Sequence, residues 1–130
     1  MEALAPVAVL NGCIPDAWVA SNDLLAVNRH ALWMALKNVI DLGIMNISNC
    51  IKVNDSVPLI YEGLNEGMWT VGISLSGNEA GFTLDSFLKA SKVEKSNARG
   101  YVTIKMRNTN AHYFIDTIAT LIAVINNRIV

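Results

Sequence analysis

The clearest strand pattern in this chain is the stretch Met68-Trp69-Thr70-Val71-Gly72-Ile73-Ser74-Leu75. Bulky apolar side chains occupy every second position, and the positions between them are mostly smaller or polar, which is the two-residue period of a β-strand. Strict alternation is typical of a strand with one buried face and one face that is exposed or turned towards a ligand. The other elements are placed around this strand.

Two long amphipathic helices flank the strand in the sequence. The first is predicted to begin near Ser21-Asn22-Asp23, which supply N-cap oxygens, and to end at Gly43, which can take the left-handed conformation of a helix C-terminus. The second follows Asn108-Thr109-Asn110, and a shorter helix is predicted after the capping residue Thr83. The apolar stripe of the last helix consists of Phe114, Ile118, Leu121, Ile122 and Ile125.

Further extended segments are predicted at residues 4–10, 47–53, 57–61 and 102–106. Short turns separate several of them, and short turns join antiparallel neighbours. The sequence therefore predicts a single α+β domain spanning residues 1–130, with a mainly antiparallel sheet of four to five strands. Two long helices are expected to pack on one face of this sheet, with one short helix besides.

The composition indicates an assembly surface. Hydrophobic residues make up 52% of the chain and charged residues only 16%, against about 25% charged in typical soluble domains. This apolar excess favours a homo-oligomer, because obligate interfaces look like a domain core cut in half. On the first helix, Asn28 falls at the centre of the apolar face while Trp33 and Met34 fall outside it, so these three residues are predicted to form the interface.

Several classes of protein are disfavoured. The most apolar stretch, residues 111–125, is too short for a membrane span and contains Asp116. The N-terminus lacks the basic segment of a secretion signal, so a cytoplasmic location is expected. Cys13 and Cys50 stand far apart without clustered histidines, so neither a metal site nor a cofactor is expected. A net charge of −1 argues against general nucleic-acid binding.

Basic residues concentrate between positions 89 and 107, where Glu94 is the only acid. Arginine and lysine bind phosphate groups, so Arg99, Lys105 and Arg107 are predicted to hold an anionic ligand. Trp69 and Phe82 are expected to offer a stacking surface for a nucleotide base. The main hypothesis is therefore a non-enzymatic homo-oligomeric binding protein that sequesters a small anionic, nucleotide-like ligand or blocks an acidic protein partner.

Two alternatives stay open. One is a structural subunit of a larger assembly. The other is a small hydrolase-type enzyme in which Asp116 orients His112 as a general base, since residues four apart share a helix face; a carboxylate such as Glu62 or Glu66, expected in a loop, could also serve. Ser74 lacks the glycine two positions later that a nucleophile elbow requires, so it is interpreted as a strand serine.

Overall fold

Three parallel strands and six α-helices make up residues 5–19 and 33–129, the part of the chain that this computed structural model describes. The strands are β1 (Ile51–Asn54), β2 (Trp69–Ile73) and β3 (Tyr113–Ile115). The helices are α1 (Ala5–Leu10), α2 (Trp33–Asp41), α3 (Val57–Asn65), α4 (Leu84–Lys89), α5 (Lys92–Arg107) and α6 (Leu121–Ile129).

The sheet has the order β1-β2-β3, and both pairs of neighbouring strands are parallel. Val71 in β2 pairs with Val53 on one side and with Tyr113 on the other. Parallel neighbours need a crossover connection, usually a helix; α3 connects β1 to β2, and α4 and α5 connect β2 to β3. The predicted antiparallel sheet of four to five strands is therefore wrong.

Two segments that were predicted to be strands belong instead to the crossover helices α3 and α5. The segment at 57–61 belongs to α3, where Pro58 lies in the first turn and needs no N–H of its own. The segment at 102–106 belongs to α5: Val102 and Met106 are four residues apart on one helix face and fully buried, whereas Ile104 is 70% exposed.

The predictions at the two ends of the chain are also corrected. Residues 5–10 form α1 instead of a strand, and the predicted last helix is divided between β3 and α6. Thr83 caps α4 as predicted, accepting the N–H of Ser86 at 3.2 Å, and Gly43 has a φ of 65° after α2, as expected. The predicted start of the first long helix, with Asn28, lies outside the described residues. None of the described helices is long and apolar enough to cross a membrane.

Strand β2 is buried on both faces, unlike the half-exposed strand that its alternation predicted. Thr70 and Val71, which point to opposite faces, are 0% and 1% exposed. On the Thr70 side, Ile60 of α3 packs with Val102 and Met106 of α5 and with Phe114 of β3. A Cβ atom at Gly72 would lie 2.9 Å from the Phe114 ring, so this core has no space for a side chain there.

Gly100 in α5 offers a simple test of this helix. It is exposed, and an added Cβ would meet nothing within 4 Å. We expect Gly100→Ala to raise the free energy of unfolding by about 0.5–1 kcal/mol, because glycine costs that much more than alanine inside a helix. Chemical denaturation measures the change, and a destabilised variant would argue against a helix at this position.

Candidate functional site at the carboxyl edge of the sheet

The carboxyl ends of the three strands meet at one edge of the sheet. Asp55 follows β1, Ser74 follows β2 and Asp116 follows β3. The backbone carbonyl of Asp116 accepts N–H groups from Leu75 at 3.1 Å and Ser76 at 2.9 Å, which joins two of these ends directly. Ligands of open parallel sheets bind outside the carboxyl ends of the strands, so this edge is the candidate site.

A side-chain turn presents Asp55 at this edge. Asn54 Oδ1 accepts the N–H groups of Asp55 at 2.9 Å and Ser56 at 3.3 Å, which holds the chain between β1 and α3. Asp55 Oδ2 accepts the N–H of Asn78 at 3.0 Å. Among the described residues Asp55 has no basic partner within ion-pair distance.

The loop after β2 closes onto Asp55 at Gly77. A Cβ atom at Gly77 would lie 2.6 Å from Asp55 Cβ and 2.8 Å from the carbonyl oxygen of Ile73. Only glycine permits this approach without displacing the backbone. Residues 76–81 contain a short 3₁₀ turn at Asn78–Ala80, and the N–H of Asn78 binds Asp55.

Helix α5 holds the two other loops at this edge through ion pairs. Arg99 donates from Nε to Asp116 Oδ1 at 2.8 Å and from Nη2 to Asp116 Oδ2 at 2.6 Å, and Ser74 Oγ lies 3.1 Å from the same Oδ1. These hydrogen bonds lower the pKa of the Asp116 carboxyl, and the hydrogen bonding of Arg99 has the largest effect. Lys105 forms an ion pair with Glu79. Two of the carboxylates near the edge are therefore already neutralised.

The Arg99–Asp116 pair can be tested by titration. A carboxyl group whose pKa is lowered on folding stabilises the protein above its unfolded pKa, near 3.8 for aspartate, and this contribution is lost as the pH falls. We expect Arg99→Gln to move the midpoint of Asp116, followed by carboxyl ¹³C NMR, towards its ordinary value. An unchanged midpoint would mean that the guanidinium does not hold this carboxylate in solution.

The predicted anion-binding residues do not lie together at one site in the structure. Arg99 and Lys105 are engaged by carboxylates, and Arg107 is exposed at the end of α5, which is a helix and not the predicted strand. Trp69 lies at the amino end of β2, away from Asp116; its ring stacks against Tyr113 and contacts the tilted ring of His112. Phe82 packs edge-on against Phe87. Their binding of an anion stays a prediction.

The predicted interface is described only in part. Trp33 is the first described residue of α2 and is 55% exposed, and Met34 is half-buried. Asn28 lies outside the described residues. Self-association through this surface stays a prediction.

The predicted catalytic pair is not formed. His112 precedes β3, where its Nδ1 accepts the N–H of Thr70 at 3.1 Å, while Asp116 follows β3 and binds Arg99. The two residues flank a strand and not one helix face. Glu62 lies inside α3 and Glu66 caps its end, both buried, so neither occupies the loop that the sequence predicted.

Sequence reasoning passed over Asp55. Its signal is a carboxylate in the turn directly after the strand Ile51–Asn54. That signal gains meaning only when the sheet is parallel, because only then do successive strands end at the same edge.

A second concave surface lies between α2 and β1. This open groove of about 450 Å³ is mainly apolar, with Asn38 and Lys52 as its polar lining. It offers fewer converging polar groups than the carboxyl edge does. Among the described residues, no three histidine, cysteine, aspartate or glutamate side chains are grouped to hold a metal ion.

Comparison with known proteins relates the chain to one class of enzyme. No family model matches it. Phosphonoacetaldehyde hydrolase of Aeromonas hydrophila is 52% identical over 132 residues, which cover 99% of this chain and 47% of that protein. Phosphonoacetaldehyde hydrolase of Salmonella typhi is 48% identical over 132 residues, covering 99% of this chain and 49% of that protein. The chain spans about half the length of the curated relatives it matches.

The fold supports the same relationship. The crystal structure of a phosphonoacetaldehyde hydrolase-like protein from Oleispira antarctica superimposes with a TM-score of 0.91 and 37% sequence identity. The match covers 98% of this chain and 46% of that structure.

These findings overturn the main functional hypothesis drawn from the sequence. A non-enzymatic binding or inhibitory protein is contradicted, because relatives at about half identity over almost the whole chain are named as hydrolases. The hydrolase alternative agrees better with them, although not through the pair His112 and Asp116. The physical reason for the error is that composition and charge carry no information about a site that only the parallel topology assembles.

Proposed function

We propose that this chain forms the sheet-bearing half of a phosphonoacetaldehyde hydrolase-type enzyme and that Asp55 is part of its active site. The observation that carries the proposal is Asp55 at the carboxyl edge of the sheet, without an ion-pair partner among the described residues. The relatives that match almost the whole of this chain are named phosphonoacetaldehyde hydrolase, and this supports the proposal.

The first turn of α3 suits the anionic end of such a substrate. Ser56, the N-cap residue of α3, makes no side-chain capping bond, and α3 begins immediately after Asp55. Free N–H groups and the helix dipole favour anions at a helix N-terminus. A phosphonate group at this position would lie between the helix terminus and Asp55.

The chemistry defines what Asp55 has to do. Hydrolysis of phosphonoacetaldehyde transfers the oxygen of water to phosphorus and a proton to carbon, giving phosphate and acetaldehyde as the carbon–phosphorus bond breaks. A carboxylate repels a phosphonate dianion unless a proton or a cation lies between them. Asp55 would therefore act as the acceptor of that proton or cation.

A chimeric enzyme tests the proposal. The 132 matched residues of the Aeromonas hydrophila relative are replaced by this chain, and acetaldehyde release from phosphonoacetaldehyde is measured. We expect hydrolysis within about tenfold of the unmodified relative. A tenfold lower rate corresponds to an activation barrier higher by only about 1.4 kcal/mol. A chimera that folds cooperatively but shows no hydrolysis would contradict the proposal.

Two expectations from the sequence belong to the same proposal. We infer a cytoplasmic location, which the free thiols of Cys13 and Cys50 support. Self-association near Trp33 and Met34 is the second, supported by the exposed Trp33 ring.

A further inference from the structure

Three charged side chains are buried together between α3 and β1. Lys52 extends from β1 and forms an ion pair with Glu62 of α3. Glu66 follows one helical turn after Glu62, so the two carboxylates lie on the same side of the helix. Glu62 is 7% exposed and Glu66 9% exposed.

The charges and hydrogen bonds of this cluster do not balance when both carboxylates are ionised. Two negative groups face one ammonium group. Glu62 Oε1 and both carboxylate oxygens of Glu66 are buried without a hydrogen-bond partner. A buried charge without compensation is costly, because the interior cannot replace its hydration.

Within residues 5–19 and 33–129, the neighbouring elements supply no second cation to this cluster. Strand β1 contributes Lys52, and β2 contributes no titratable side chain; its Thr70 hydroxyl donates to the carbonyl of Met68 at 3.2 Å. His112 reaches β2 through the N–H of Thr70. On α3 itself, Tyr61 is exposed and donates to the carbonyl of Asn108 at 3.2 Å.

We propose that Glu62 and Glu66 share one bound proton near neutral pH and that losing this proton loosens the packing of α3 on β1. A protonated Glu66 would gain an O–H donor, and Glu62 Oε1 is an acceptor without a partner. The proton also brings the cluster of three charges to neutrality. Glu62 then keeps its negative charge for Lys52.

The electrostatics of Glu66 agree with this arrangement. The pKa of Glu66 is raised from 4.5 to about 7; burial is the main cause, the charge of Lys52 opposes the rise and the charge of Glu62 adds to it. The folded protein thus binds the proton more tightly than the unfolded chain does. The contribution of Glu66 to stability is consequently greatest below about pH 4.5 and is lost as the pH rises through about 7.

The same elements connect this cluster to the candidate site. Helix α3 runs from Ser56 at the carboxyl edge to Glu66, and β1 runs from the cluster at Lys52 towards Asp55. A change in the packing of α3 on β1 would therefore move both sides of the turn that presents Asp55. Proton binding at one end of these elements controls geometry at the other.

Carboxyl ¹³C NMR and chemical denaturation of the full chain between pH 4.5 and pH 8.5 test the proposal. We expect Glu66 to titrate near pH 7 and the unfolding equilibrium constant to rise up to about tenfold per pH unit between about pH 5 and pH 7, as release of one proton requires. A Glu66 midpoint below about pH 5 would overturn the proposal.

Two variants separate a shared proton from an isolated one. Glu66→Gln keeps the shape of the neutral form, so it should abolish this pH dependence and unfold less readily than the parent at pH 8. Glu62→Gln should lower the Glu66 midpoint, and an unmoved midpoint would show that the proton is not shared. The exposed Asp85→Asn serves as the control and should change neither readout. If Glu62→Gln fails to fold, the parent titration and Glu66→Gln decide.

Discussion

Replacing Asp55 by asparagine in the chimeric hydrolase should lower kcat/KM by about 100-fold or more while leaving the fold intact. Asparagine keeps the size of the side chain and an oxygen that can accept the N–H of Asn78, now at 3.0 Å from Oδ2. It removes the negative charge that accepts a proton or holds a cation, and such groups contribute about 10²–10⁴-fold to enzymatic rates. Acetaldehyde release at several substrate concentrations separates kcat from KM.

The matched control is Asp41→Asn. Asp41 lies at the end of α2 and forms an exposed ion pair with Lys37 at 2.8 Å, so the same chemical change is made away from the carboxyl edge. Exposed pairs of this kind contribute little to stability. Equal activities of the two variants would remove Asp55 from the proposed active site.

The second large effect is expected at Gly77. The added methyl group of Gly77→Ala would meet Asp55 Cβ at 2.6 Å and the Ile73 carbonyl oxygen at 2.8 Å, and both belong to parts of the chain that cannot rotate away. We expect a loss of about 2–3 kcal/mol in the free energy of unfolding, at the upper end of what overpacking costs. Activity of the chimera should fall as well, because the backbone shift displaces Asp55.

Gly100→Ala provides the comparison, because it adds the same methyl group in open space. The changes in stability relative to the parent, measured by thermal and chemical denaturation, should therefore have opposite signs in the two variants. If Gly77→Ala were as stable as the parent, the close approach of this loop to Asp55 would not exist in solution.

Local sequence signals predicted some elements correctly and misassigned others for identifiable reasons. The alternation at Trp69–Ile73 indicates a strand but not the direction of its neighbours, because the period of two is the same in parallel and antiparallel sheets. In α5, Val102 and Met106 satisfy both a strand and a helix period. The capping box of Ser91 and Glu94, Ser-x-x-Glu in the sequence, marks the start of that helix.

The candidate site could not be predicted from the sequence because it is assembled from separate strand ends. Asp55 and Asp116 are distant in the chain, and the parallel direction of the strands brings their strand ends to one edge. The basic cluster was recognised, but its partners Glu79 and Asp116 could not be, since these contacts connect α5 to loops on either side of it. Charge counts thus indicated an anion site where the structure forms ion pairs.

The strand order has a consequence for how this part of the protein folds during synthesis. Each strand pairs with the strand before it: Ile51 with Trp69, and later Val71 with Tyr113. The first pairing closes the shorter loop, and each doubling of loop length costs only about 0.6 kcal/mol more in chain entropy. The unit of β1, α3 and β2 can therefore form while β3 is still being synthesised, and β3 then adds to an existing edge. The turn that presents Asp55 is consequently among the first tertiary features to form within residues 51–115.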